Sequence, residues 1–247
     1  MNIKSTIFVF SCLLLQSLAL QQPLHAQTEK SEQPEVIAAR QARDSASIEG
    51  LQKIIAKAQK EATETNSFDA YLRLALFQSW LCEAAEAQKN EKLLKQTATD
   101  GIAAAEKATA LNPKSSDAHW LVGDLLGRLI PHVFGGGMRF GKRATDELDK
   151  AIELDPKNAN ACVSRAISSY YTPEAFGGSR DKAFELLRKA VAVDPQADTP
   201  HVWLAMFFLE AHQNRPALDE ILRARQINSN RAFTNAIYEQ VTRANKE

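Results

Sequence analysis

The chain has 247 residues, of which 45% are hydrophobic, 7% aromatic and 24% charged, the balance of an ordinary globular protein. Its 30 basic and 30 acidic side chains cancel. No overall positive field exists to gather phosphates, so nucleic-acid or other polyanion binding is excluded as a primary role.

The N-terminus reads as a secretory leader. Lys4 precedes an apolar stretch from Ile7 to Leu20, followed by Gln21, Gln22 and a Leu24-His25-Ala26 close. Cleavage after Ala26 is expected, giving a signal peptide over 1–26 and an exported protein of the periplasm or cell envelope. The alternative is an uncleaved anchor, but the 14-residue stretch, interrupted by Gln16, is short for a bilayer span. Cys12 sits in mid-stretch with bulky Phe10 two residues before it, which argues against lipoprotein acylation. Removal of the leader leaves 29 basic and 30 acidic side chains.

Residues 27–43 are predicted to form a polar tether. Over 44–66, Ile48, Leu51, Ile54, Ile55 and Ala58 have helical spacing, with Asp44 or Ser45 available as N-cap. This N-terminal helix either caps the segment after residue 66 or lies in its groove.

From residue 67 the chain repeats itself. Three helix-ending phrases close on Asn112-Pro113, Asp155-Pro156 and Asp194-Pro195. Twelve, eight and five residues before each Pro stand Gly101, Ala105 and Ala108; Ala144, Leu148 and Ala151; and Ala183, Leu187 and Ala190. A fourth copy, Ala217, Ile221 and Ala224, has Ser229 in place of the Pro. Each is preceded by a first helix with a small residue at its crossing point: Ala75, Gly123, Ala166 and Ala205. The spacing predicts helical hairpins over 67–115, 116–157, 158–197 and 198–229, each burying its apolar face against its neighbours. In the first repeat the added residues, around Glu86 to Gln96, are strong helix formers and predict longer helices. In the second and third they contain an echo, Phe134-Gly-Gly and Phe176-Gly-Gly, read as loops with Phe134 and Phe140 folded back onto the helices. Residues 230–247, with Phe233, Ile237, Tyr238 and Val241, read as a C-terminal capping helix.

Catalytic and metal chemistry finds little support. Gly136 to Lys142 satisfies a phosphate-loop pattern, but Arg143 replaces the hydroxyl residue and no strand precedes it. Arg139, Lys142 and Arg143 near a helix start are the only anion-holding feature there. His119, His132, His201 and His212 lack ligand spacing, so no metal and no cofactor are expected. Cys82 and Cys162 stand two repeats apart and are expected to be buried free thiols rather than a disulfide or a nucleophile. The chain is not expected to be an enzyme.

At this point the sequence resembles the tetratricopeptide repeat (TPR) family over about residues 67–229. The resemblance implies an all-α, right-handed solenoid of about four hairpins, with elongated first repeats and helical caps. Its small-residue spacing from first to second helix departs from the family's by an excess that falls from repeat to repeat. The resemblance further implies a concave partner-binding face built by the first helices. Carried over residue by residue, that face comprises Leu72, Leu76 and Trp80; Trp120, Asp124 and Arg128; Val163, Ile167, Tyr170 and Tyr171; and Val202, Met206, Leu209 and Glu210. The set is mostly apolar and aromatic, which points to a scaffold that docks an apolar segment of a protein partner. Leu72 and Leu76 stand where TPR clamps for acidic tails carry polar residues. The groove is either open or already filled by the chain's own N-terminal helix or Phe-Gly-Gly loops. A weaker likeness to TPR proteins associated with TRAP transporters implies an alternative, a periplasmic binder of a small apolar ligand. No nucleic acid, and no stable membrane insertion after signal cleavage, are expected.

Overall fold

The computed structural model describes residues 33–245; the expected leader lies outside them, as does the start of the tether. The helices are α1 (Pro34–Asp44), α2 (Ile48–Thr65), α3 (Phe68–Ala87), α4 (Glu91–Leu111), α5 (Ser116–Leu129) and α6 (Gly136–Leu154). They continue with α7 (Ala159–Tyr171), α8 (Arg180–Val193), α9 (Asp198–Glu210), α10 (Asn214–Ile227) and α11 (Ala232–Ala244). Two single 3-10 turns, Ile130–His132 and Glu174–Phe176, interrupt the second and third repeats. Each predicted repeat span holds one hairpin: α3/α4, α5/α6, α7/α8 and α9/α10.

The hairpins are held by small residues where backbones cross. Ala75, Ala105, Ala166, Ala183, Ala205 and Ala217 are wholly buried. At Gly123 even a Cβ would lie 2.5 Å from Leu148 Cγ, and at Gly101 it would lie 2.8 Å from Gln78 Cβ. A side chain there would overpack the crossing. The excess residues of the first repeat lengthen α3 and α4 to 20 and 21 residues, against 13 and 14 for α9 and α10.

The helix-ending phrases work through the Asn or Asp rather than the Pro. Asn112, Asp155 and Asp194 each accept, through the side-chain oxygen, the N–H two residues on, at 3.2, 2.9 and 3.1 Å. Asn228 does the same to Asn230 at 3.2 Å although Ser229 follows it. The side chain supplies the turn, and proline only restricts it further. The next inner helix is then capped by Ser115 before α5 and by Asn158 before α7.

The N-terminal segment differs from expectation. Residues 34–43, expected in the tether, form α1, with Ala39 fully buried. The helix α2 is capped by Ser47 rather than Asp44 or Ser45. Together α1 and α2 make a fifth hairpin: Ala39, Leu51 and Ala58 pack into the first core cluster. Ala39 to Ala58 spans the same 19 residues as Ala205 to Ala224. Leu51, standing where the other repeats have Gly or Ala, hides the register in the sequence.

The Phe-Gly-Gly loops also differ. Residues 136–143 are not a loop but the first turns of α6. In each echo the first glycine, Gly135 (φ 66°) or Gly177 (φ 88°), takes a left-handed conformation. The second, Gly136 or Gly178, has no room for a Cβ against the carbonyl six residues back, that of Ile130 or Thr172. The glycines are therefore structural. The phenylalanines are not: Phe134 projects fully into solvent and Phe176 is 79% exposed. Only Phe140 packs back against the core, with Arg139 over its ring.

Candidate binding surface

The first helices of successive hairpins, α1, α3, α5, α7 and α9, lie side by side and α11 completes the row, so they form the inner face. Most of the apolar residues predicted to line it are spent on packing. Leu72, Leu76 and Ile167 are half-buried against the cores, and Val163 and Val202 are buried. Met206 and Leu209 pack against the cluster formed with α10 and α11. Trp80 lies half-buried beside Phe77, ring centroids 5.7 Å apart, and Arg43 of α1 sits over it at 5.3 Å. The N-terminal hairpin thus covers part of the face.

The middle of the face is polar. Asp124 collects three donors: Ser79 Oγ at 2.7 Å, Ser164 Oγ at 2.9 Å and Arg128 Nε at 3.0 Å. Trp120 donates its indole N–H to Ser164 Oγ at 3.0 Å, and Arg128 donates to Glu86 at 3.1 Å. This ladder ties α3, α5 and α7 together. Burial works against the Arg128 charge, but Asp124 and Glu86 outweigh it and push its pKa above the usual range. Asp124 and Arg128, predicted as partner contacts, here satisfy each other.

A second network joins the chain's distant parts. Arg231, just ahead of α11, donates Nε and Nη2 to the two carboxylate oxygens of Glu83 on α3, at 2.9 and 2.6 Å. Its Nη1 donates to Asp198 at 3.0 Å and to Thr199 at 2.7 Å, and Thr234 donates to the other Asp198 oxygen. Arg231, Glu83 and Asp198 are all buried. Burial alone would raise Glu83, but the charge and hydrogen bonds of Arg231 outweigh it and hold the carboxyl below its usual 4.5. Beside this network Asn228 donates to Asp44 at 3.1 Å. The last helix therefore closes onto the first two hairpins across the inner face.

What stays open is the end of the face formed by the last residues of α7 and α9. Tyr170 is buried, stacked on Phe207 with centroids 3.8 Å apart, and Arg180 sits over its ring at 5.2 Å. Tyr171 is half exposed and donates its hydroxyl to Glu210 at 2.6 Å. Burial, then this hydrogen bond, pushes the Tyr171 hydroxyl well above the usual tyrosine range. Together with Thr172, Pro173, Glu174 and Ser179 these residues line a cleft of about 450 Å³. Its mixed polar lining is unlike the enclosed apolar chamber that a small hydrophobic ligand requires. Another cleft, on α4, is formed by Glu91, Lys92, Lys95, Gln96 and Thr99.

The remaining candidates resolve into structure. Cys82 and Cys162 are buried free thiols, and burial pushes Cys82 up to about 12. His119 faces Glu147 at 2.6 Å and the Pro113 carbonyl at 3.0 Å. His201 repeats the first contact with Glu220 at 2.6 Å, one hairpin position for another. Gly136 to Lys142 is helical, so no phosphate-cradling loop exists there. Among the described residues no group of three His, Cys, Asp or Glu is placed to hold a metal ion, and no helix is long and apolar enough to cross a membrane.

Sequence reasoning missed Ser79, Ser164, Glu83, Asp198 and Arg231. One signal was present: α3, α5 and α7 are capped by Ser67, Ser115 and Asn158, whereas α11 has Arg231 in that place with no side-chain cap bond.

Stacked helical hairpins with small residues at every crossing define a helical repeat solenoid. No protein-family model matches the chain, and no curated protein matches its sequence. Solved structures do match. A thermophilic TPR protein of Thermus thermophilus is similar at 16% identity and a TM-score of 0.59, covering 84% of this chain and 98% of that one. PilW, described as a widely conserved type IV pilus biogenesis factor, is similar at 16% identity and a TM-score of 0.50, covering 87% of this chain and 88% of that one. The fold is the tetratricopeptide repeat fold.

Proposed function

We propose that this chain is an exported scaffold of the periplasm or cell envelope that holds a protein partner, and that it is not an enzyme. The partner docks on the open end of the inner face, formed by the last residues of α7 and α9. One observation carries this reading: Tyr171 and Glu210 stand open on a cleft of about 450 Å³ while the N-terminal half of the face is spent on the fold's own contacts. A tyrosine body beside a carboxylate and the Arg180 guanidinium offers apolar area and both signs of charge to an entering segment. Asp124 is paired with Arg128, Glu83 and Asp198 with Arg231, and Tyr171 with Glu210, which is the opposite of what acid-base chemistry needs.

The test is site-specific photocrosslinking in cells. A benzophenone amino acid at Tyr171 should capture a discrete envelope protein, one at Trp120 should capture none, and Glu210→Lys should abolish the Tyr171 product. Capture at Trp120 but not at Tyr171 would place the partner in the groove's closed half and overturn the reading. N-terminal sequencing of the envelope fraction should begin at Gln27.

A further inference from the structure

The three most exposed large hydrophobic side chains of the described residues are Phe134, Met138 and Phe176, at 101, 89 and 79%. All three stand where a first helix turns into its second, in consecutive hairpins, so they crown one edge of the stack. In both loops the phenylalanine immediately precedes the left-handed glycine. It is presented by the same turn geometry one repeat along. Folding needs the glycines there and makes no use of the phenylalanines.

The charge around them has a sign. Arg139, Lys142 and Arg143 follow Phe134; Lys142 meets Asp146 and Arg143 meets Glu106, each at 2.5 Å, so the positive excess rests on Arg139, which sits over the Phe140 ring. The first turn of α6 has no acidic residue and no side-chain cap, so its backbone N–H groups add positive potential. Arg180 and Lys182 flank Phe176, accompanied by Glu174 and Asp181. The opposite edge carries Asp117, Asp155 and Asp194, all exposed, with Lys114 and Lys157 in the same turns.

We propose that this edge docks on an anionic bilayer surface, with Phe134, Met138 and Phe176 entering the boundary between headgroups and acyl chains. Knobs that stand clear of any cleft suit a soft surface better than a preformed protein pocket. Apolar insertion and basic attraction are also the two signals that together give stable peripheral binding. The opposite edge then faces away from the membrane, and the Tyr171 cleft remains beside the docked one.

Pro34–Glu247 is a compact unit by itself and contains all three core clusters, so it can be tested without the apolar leader. The probe is sedimentation with vesicles of phosphatidylcholine alone or mixed with phosphatidylglycerol. The parent should bind the anionic vesicles and not the neutral ones. Phe134→Ser/Met138→Ser/Phe176→Ser should weaken that binding at least tenfold with an unchanged melting temperature. Arg139→Gln/Lys142→Gln should lower it severalfold, and the emission of a Phe134→Trp variant should shift to the blue on the anionic vesicles. No binding by the parent, or undiminished binding by the serine variant, overturns the proposal. So does a parent dimer that the serine variant renders monomeric, because the patch would then belong to a second copy.

Discussion

Gly178 and Phe176 sit two residues apart and should respond to substitution in opposite ways. A methyl group on Gly178 would run into the backbone carbonyl of Thr172, which has no freedom to withdraw. Gly178→Ala is therefore expected to cost about 1–3 kcal/mol. Phe176 touches solvent over 79% of its surface, so Phe176→Ala should fall within about 0.5 kcal/mol of the parent. Urea unfolding of both variants checks the pair. A Phe176 loss as large as the glycine's would show that the ring folds back onto the protein and is not free to act at the edge. Cys82 gives a simpler check at the same scale: with its thiol near 12 and fully buried, native protein at pH 8 should resist alkylation that urea-unfolded protein accepts.

Among the elements, the N-terminal hairpin sets the sharpest expectation. Leu51 is wholly buried beneath α1 and α3, so Leu51→Ala should cost about 2–4 kcal/mol in urea. A change under about 1 kcal/mol would mean that α2 is a loosely applied cap rather than a repeat. The four downstream hairpins were legible in the sequence because their small residues recur at fixed distance from an Asn or Asp turn. The first was not, because Leu51 replaces the small residue and Thr63 stands where the Pro would be. The elongation of α3 and α4 was readable from helix propensity, since Ala, Glu, Lys and Gln state their preference locally. The destination of the predicted groove residues was not readable. Whether Asp124 waits for a partner or serves Ser79 and Ser164 depends on the rotation of three neighbouring helices, which no local pattern encodes. The same holds for Phe134: the pattern shows that a loop exists but not which way its side chain points.

At the scale of the molecule, one buried ionic cluster decides whether the solenoid is an open arc or a closed one. Arg231 and Glu83 are 148 residues apart in sequence, so their bond is long-range and ordinary repeat stacking does not supply it. Removing Arg231 strands two buried carboxylates, and Arg231→Ala should cost about 3–5 kcal/mol. Replacing the pair by Arg231→Met/Glu83→Leu should cost less, because only Asp198, still held by the Thr199 and Thr234 hydroxyls, is then left without its cation; the double-mutant cycle isolates the Arg231–Glu83 coupling. The sign of the pH effect follows from the depressed Glu83 pKa. Its contribution is present in full above the unfolded value near 4.5 and is lost as pH falls through the lower folded value. Acidification should thus loosen α11 before it melts the hairpins, visible as early hydrogen exchange over 230–245 and on the inner face of α3. The Met/Leu variant should lack that acid-sensitive phase. If parent and variant lose protection at the same pH, the closure is held by the apolar packing of Phe233 and Trp203 instead, whose rings lie 6.1 Å apart beside the cluster.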